Sequence, residues 1–322
     1  MALLIPFAAP LQAAARGPSG EGPPSAISDS DRVPPLPNLA ALVAHLVEIG
    51  RDDGDEWSLT PPHERALARA FGWSGGDGQL PFAAYAARAD GIDTGDVAVG
   101  LATPSHWHLG TDQVSLVDPA QLMLAEDESR ALLDAVGELF TSEGFGVAFG
   151  AAARWYLLHE SLAELATASL DRVIGRNVDR WLGSDPAARR VRRLQSEVQM
   201  LLYGHPVNAA REARGLLPVN SFWLSGCGMA QPERASAPQI DARLRAPALA
   251  GDAAGWARAW QTLDAGPIAA LRAAAQHGEP VELVLCGERS GVVLASRPRR
   301  WWQRIAGRWA ASPSPLPLLE SL

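Results

Sequence analysis

The chain has 322 residues, 47% of them hydrophobic and 20% charged, which is enough to bury a sizeable core in one large domain or two modest ones. Its formal net charge of −8 excludes a broad nucleic-acid footprint. All 28 basic residues are Arg, so there is no Schiff-base lysine, Walker lysine or Ser-Lys pair, and any anion must be held by Arg forks or backbone amides.

The opening residues 1–10 are apolar, carry no basic residue and are broken by Pro6, so they read as a first strand over 3–7 rather than a signal peptide. Residues 17–37, rich in Gly, Pro and Ser, read as a mobile loop, after which Asn38 is placed to cap a helix. Residues 51–56 read as a charged loop. Thr60 is expected to cap a helix ending near Phe71, and 80–88 forms another short helix. Residues 96–102 alternate as a strand, with 113–117 as a paired strand. The helix expected over 126–140 sets Leu132, Leu133, Val136, Leu139 and Phe140 on one face, and strands follow over 145–149 and 154–158.

From 161 to 182 the pattern is helical, with Leu162, Leu165, Leu170, Val173, Ile174, Trp181 and Leu182 in a broad stripe. A further helix starts at Asp185-Pro186 with Val191, Leu194, Val198 and Leu201 inward. His205-Pro206-Val207-Asn208 opens a short helix that Gly215 closes. Residues 221–224 read as a buried strand, and Gly226-Cys227-Gly228 as a tight loop leaving its carboxyl end, where open α/β sheets place ligands. Residues 234–249 read as irregular. Helices over 255–263 and 268–276 are broken at Gly266-Pro267, and a hairpin pairs 281–285 with 291–296. Residues 301–309 form a short basic-aromatic helix whose Trp302, Ile305, Ala306 and Trp309 are expected to pack on their own domain.

Four groups of residues carry chemistry. His106 and His108 with Asp112 can bind a metal or form a hydrogen-bonded loop that fixes the next strand. Arg172 and Arg176 share a helix face in this reading, lining an anion pocket or a solvated surface. His205, Asn208, Arg211 and Asn220 fall in one stretch that holds two of the four asparagines of the chain. They serve either a pocket near a helix N-terminus or the caps and buried hydrogen bonds of the fold. Cys227 and Cys286 lie far apart with no C-x-x-C, which fits a reducing, cytoplasmic setting. Cys227 reads as a turn residue or a nucleophile that would need activation. No apolar run is long enough to span a membrane.

Several of these words resemble a known family. HPVN at 205–208, Arg211, G-x-x-P-x-N at 215–220, the apolar-Trp strand and Gly226-Cys227-Gly228 resemble archaeal-type cofactor-independent phosphoglycerate mutases of the alkaline phosphatase superfamily. Pro37-Asn38-Leu39 and Gly91-Ile92-Asp93-Thr94-Gly95-Asp96-Val97-Ala98 resemble two further segments of those enzymes. The overall pattern is similar to the bacterial Rpf-type regulatory proteins (the E member). The resemblance implies an α/β fold: a reduced, mainly parallel alkaline phosphatase-like core sheet over 1–90 and 216–322, with helices on both faces, and an inserted α+β subdomain over 91–215.

The mutases end their first strand in an Asp-Gly metal motif and a late strand in an Asp-His pair. Here those places read Pro6-Phe7-Ala8-Ala9 and Cys286-Gly287-Glu288. The expectation is therefore a non-catalytic regulatory or ligand-binding protein with no cofactor and no metal. Its partner is a small anionic ligand or a regulatory protein. The alternative is an active metal-dependent phosphoglycerate mutase or phosphohydrolase.

Overall fold

The structure, a computed structural model, describes residues 1–11, 33–233, 238–296 and 314–322. The basic-aromatic helix expected over 301–309 and most of the loop expected over 17–37 lie outside the described residues. The chain divides into two compact units. Unit 1 comprises Met1–Glu56, Pro62–Ala70 and Ala235–Leu322, and unit 2 comprises Trp57–Pro61 and Phe71–Arg234.

Unit 1 is built on a five-stranded sheet in the order β2 (Leu46–Asp53), β11 (Ser290–Ser296), β10 (Glu282–Cys286), β1 (Ala2–Ile5), β9 (Gln239–Ile240). β1 runs parallel to β10 and β9, while β10, β11 and β2 are successively antiparallel, so the sheet is mixed rather than mainly parallel. Side chains alternate across a strand. Leu3 and Ile5 join Leu283 and Leu285 under α1 (Pro37–Val43), α9 (Ala253–Leu263) and α10 (Ala269–His277), where Trp256, Trp260 and Leu271 are buried. Leu4, Val284 and Cys286 face the other way, against Ala66 of α2 (Pro62–Phe71). Helices thus cover both faces, and the α/β class holds.

Two expectations for unit 1 are corrected. Asn38 does not cap α1: the helix begins at Pro37. Its open N–H groups are met by Asp264, which accepts from Asn38 N at 3.1 Å and Leu39 N at 2.7 Å. Asp264 opens the π-helical turn Asp264–Ile268 that holds Gly266-Pro267 and joins α9 to α10, where a break was expected. Residues 51–53 are strand, not loop. β2 is the edge of the sheet, and charged edge strands carry little of the alternation that marks a strand in sequence.

Unit 2 is built on an antiparallel sheet in the order β6 (Gly146–Ala151), β7 (Arg154–Leu158), β3 (Val99–Ser105), β8 (Ser221–Gly228), with a hairpin of β4 (Trp107–Leu109) and β5 (Val114–Leu116) beside it. The amphipathic helices α4 (Glu126–Ser142) and α6 (Pro186–Tyr203) supply Leu132, Val136, Phe140, Leu194 and Val198 to a core shared with Trp155, Phe222 and Leu224. α3 (Phe82–Ala89) packs Ala83, Ala84 and Ala87 against Val99 and Tyr156. Its close approach fixes Gly226, which has φ +63°; a Cβ there would lie 2.9 Å from Ala83 N.

β8 explains why the units are bounded as they are. It zips to β3 from Ser221↔Ser105 to Gly228↔Val99, so Gly226-Cys227-Gly228 continues the strand rather than leaving it. Residues 71–90 and 216–233, expected in the core, accordingly lie in unit 2. Between 161 and 182 only α5 (Leu170–Val173) is α-helical, flanked by 3₁₀ turns at Glu160–Leu162 and Val178–Trp181. The Ser169 and Asn177 side chains accept from Asp171 N and Asp179 N, and Gly175 sits at φ +73°. These local bonds offer the backbone an alternative to a helix. On α6 the buried stripe runs Val191, Leu194, Gln195, Val198, Leu202, and Leu201 is outside it.

Candidate functional site

The stretch that carries the family resemblance folds into a clamp around residues 217–220. Those four residues lead from α7 (Pro206–Ala213) into β8 outside any helix or strand, so their backbone groups need partners from elsewhere. Arg211 Nε donates to Leu217 O at 2.9 Å. His106 Nδ1 donates to Pro218 O at 2.8 Å. Asn208 takes both sides of Val219: its Nδ2 donates to Val219 O at 2.7 Å, and its Oδ1 accepts from Val219 N at 2.9 Å. Asn220 reaches across to β4, accepting from Trp107 N at 2.7 Å and donating to Trp107 O at 3.0 Å, so its amide serves as one more strand residue.

The clamp is saturated. The remaining Asn208 N–H donates to Leu202 O at 2.8 Å, which closes the end of α6. Arg211 is fully buried and also donates to Leu122 O and to Glu128, whose other oxygen pairs with Arg214. Burial opposes the Glu128 charge, but hydrogen bonds from Arg214, Ala125 N and Arg211 outweigh it and hold the carboxyl below its ordinary value. His205, not Asn208, is the N-cap of α7, with Nδ1 accepting from Val207 N at 3.3 Å. The printed bonds of Asn208 and Asn220 thus run to backbone groups, and those of Arg211 to backbone carbonyls and Glu128.

The other candidates sit apart from the clamp or at its rim. His108 is exposed on β4, with its ring 6.3 Å from that of His106, whose Nδ1 is committed to Pro218. Among the described residues no three His, Cys, Asp or Glu side chains group as a metal site. Arg172 and Arg176 are not on one helix, yet both guanidiniums lie over Trp181, at 5.4 and 5.9 Å from the ring, and Arg172 Nε donates to Ser58 O at 2.7 Å. Both cysteines are buried, and burial pushes each thiol up to about 12, so neither is an activated nucleophile.

In unit 1 the parallel strands β1 and β10 end side by side, with Ala8 N donating to Cys286 O at 2.8 Å. Phe7 follows β1 at φ +59°, its carbonyl accepting from Trp256 Nε1 at 3.0 Å and its ring 5.4 Å from His63. One charged cluster of this unit is Asp52, paired with Arg65 and Arg69 at 2.8 Å each. Burial raises its pKa, but the two Arg outweigh that and leave it lowered.

A second buried polar site in unit 2 has no counterpart in the sequence reading. Gln195 on α6 is 2% exposed; its Nε2 donates to Phe222 O at 3.1 Å, while its Oε1 has no partner. It lines a cavity together with Thr167, Trp181, Ala188, Trp223 and Leu224. The available signal was its spacing: Gln195 stands four residues after Val191, on the stripe that faces the core.

No protein-family model matches the chain, and no curated protein does. Among solved structures it is similar to a cofactor-independent phosphoglycerate mutase from Thermoplasma acidophilum DSM 1728, at 16% identity and TM-score 0.36, over 91% of this chain and 89% of that one. It is also similar to the PH0037 protein from Pyrococcus horikoshii, at 13% identity and TM-score 0.45, over 92% and 87%.

Proposed function

We propose that this protein is a non-catalytic regulatory or ligand-binding protein on a phosphoglycerate mutase-like scaffold, of the Rpf type (the E member), acting on a small anionic ligand or a regulatory protein partner in the cytoplasm. One observation carries the reading. The adjoining carboxyl ends of β1 and β10 present Phe7 and the buried Cys286 thiol where the resembled mutases carry metal-binding Asp and His. Two-metal phosphoryl transfer needs carboxylates and His to clamp the attacking and leaving oxygens. The clamp adds support, since Asn208, Arg211 and Asn220 spend their hydrogen bonds on backbone and on Glu128.

The test is conversion of 3-phosphoglycerate to 2-phosphoglycerate by purified protein supplied with Mn²⁺, Mg²⁺, Co²⁺ or Zn²⁺. The expected result is no turnover above the metal-only control. Turnover at enzymatic rates overturns the reading in favour of an active mutase.

A further inference from the structure

We infer that unit 1 carries a docking slot for a leucine-bearing helical turn. Residues 316–322 of this chain fill the slot in cis, and a partner protein that presents the same Leu-x-x-Leu turn takes it by displacing them. The inference names the kind of partner for the regulatory reading above and rests on that reading for its purpose. The slot itself stands on three observations.

The first is how little holds the segment to itself. It is one helical turn, Leu316–Glu320, in which Leu319 N donates to Pro315 O at 3.1 Å and Ser321 N to Leu318 O at 3.2 Å. A single turn is far too short to persist alone in water, so it takes its form from the surface under it. Residues 297–313 join it to β11. At up to about 3.5 Å per residue, that connection is long enough for the segment to leave the slot while β11 stays paired.

The second is the grip. Leu319 and Leu322, three residues apart, are 0% and 8% exposed and join the apolar cluster of this unit, while Leu316, Pro317, Glu320 and Ser321 face solvent. The hydrogen bonds onto residues 321–322 go to backbone carbonyls and one hydroxyl. Arg51 of β2 donates from Nη2 to Ser321 O at 2.5 Å and from Nη1 to Ser321 Oγ at 3.4 Å, and Ser290 N donates to Leu322 O at 2.9 Å. Two leucine sockets flanked by donors to main-chain oxygen read a helical turn with one apolar face. They ask nothing of its outward side chains, which is how grooves recognise short amphipathic helices.

The third is the floor. Gly287 directly follows β10, and a Cβ there would lie 2.6 Å from Leu322 C and 2.7 Å from Leu322 O. Its φ is outside the left-handed region, so what the glycine supplies is room for residue 322 and not a special turn geometry.

The test uses the full chain with a specific-protease site inserted between Ala311 and Ser312. Cutting frees residues 312–322, and mass spectrometry follows their loss on dialysis. A fluorescein-labelled peptide of residues 312–322 is then titrated and read by anisotropy. The expected result is no binding to the uncut chain, whose slot is filled, and saturable binding to the cut and dialysed chain, which keeps its thermal transition. Aspartate in place of both Leu319 and Leu322 in the peptide is expected to weaken binding by roughly tenfold or more, and so is Arg51→Met in the protein, which removes a charged donor. Gly287→Ala is expected to weaken binding while leaving the melt of the cut chain unchanged. A fragment that never leaves, or a cut chain that unfolds once it has left, makes the segment part of the core and overturns the inference. Equal binding by the aspartate peptide, or equal binding to the uncut chain, overturns it too. A dimer that becomes monomeric on cutting gives the slot to a second copy and overturns the partner assignment. Any such failure without mutase turnover leaves the non-catalytic reading standing, whereas turnover overturns that reading whatever the peptide does.

Discussion

Asn208 and Gln195 are both carboxamides, both lie in unit 2, and both are almost fully buried, at 3% and 2% exposure. Asn208 makes three hydrogen bonds, each to backbone. Gln195 makes one, from its amide nitrogen to Phe222 O. The cause is the backbone each one faces. Residues 217–220 are irregular, so they present unpaired N–H and C=O groups that Asn208, Arg211, His106 and Asn220 absorb. Gln195 faces β8, whose groups on one side are paired with β3; only the carbonyl of Phe222 takes its amide. Scarce polar residues close together in sequence therefore mark structure when the backbone between them is irregular. A polar residue alone on an apolar helix stripe, facing a paired strand, finds few backbone groups to bond.

The comparison can be broken at its strongest point first. Arg211→Met takes one of two Arg partners from Glu128 and leaves two carbonyls, Leu122 O and Leu217 O, without the Arg211 donor. Removing one partner of a buried pair is expected to cost about 3–5 kcal/mol, read as a lower urea midpoint. Trp223→Ala, which empties a large buried side chain next to the cavity, is expected to cost a similar amount, about 3–5 kcal/mol. A wild-type midpoint in either variant would contradict the role given to that residue.

A pH series sharpens the same contrast. Glu128 is lowered in the folded state, so the unfolded chain binds its proton more readily. Its contribution is fully present above the ordinary carboxyl value of 4.5 and is lost as pH falls through the lower folded value. Asp90 behaves likewise: a hydrogen bond from Arg154 leads, burial opposes it, and Tyr156 adds a second bond. Urea midpoints are expected to drop steeply between about pH 5 and pH 3, and Glu128→Gln should flatten part of that slope. The smallest effect belongs to Gln195→Met, which gives up one hydrogen bond and is expected to cost only about 1 kcal/mol at neutral pH.

Much of this architecture was legible in the sequence. The stripes of α4 and α6, the hairpin of β10 and β11, and the short helix after His205 all follow from period and punctuation. β2 was not legible, because an edge strand that ends in the charged run Arg51-Asp52-Asp53 looks like a loop. The helix expected over 161–182 failed because Ser169 and Asn177 divert the backbone locally. The placement of β8 could not be read either: an apolar strand announces burial, but its partner β3 lies more than a hundred residues earlier in the chain. Four of the eight candidate residues, His106, Asn208, Arg211 and Asn220, bond the backbone of residues 217–220. Sequence gave no means of telling which would be consumed by backbone, since that depends on groups brought in from β3, β4 and α4.

Urea unfolding of Asn208→Ala tests the central claim, that the clamp serves the fold, because Asn208 touches only backbone groups: Leu202 O, Val219 O and Val219 N. The expected result is a loss of at least about 2 kcal/mol with an unchanged denaturant slope, since both buried backbone groups of Val219 lose their partner at once and Leu202 O loses one of its donors. A midpoint within about 0.5 kcal/mol of wild type, the range of an ordinary surface change, would contradict it.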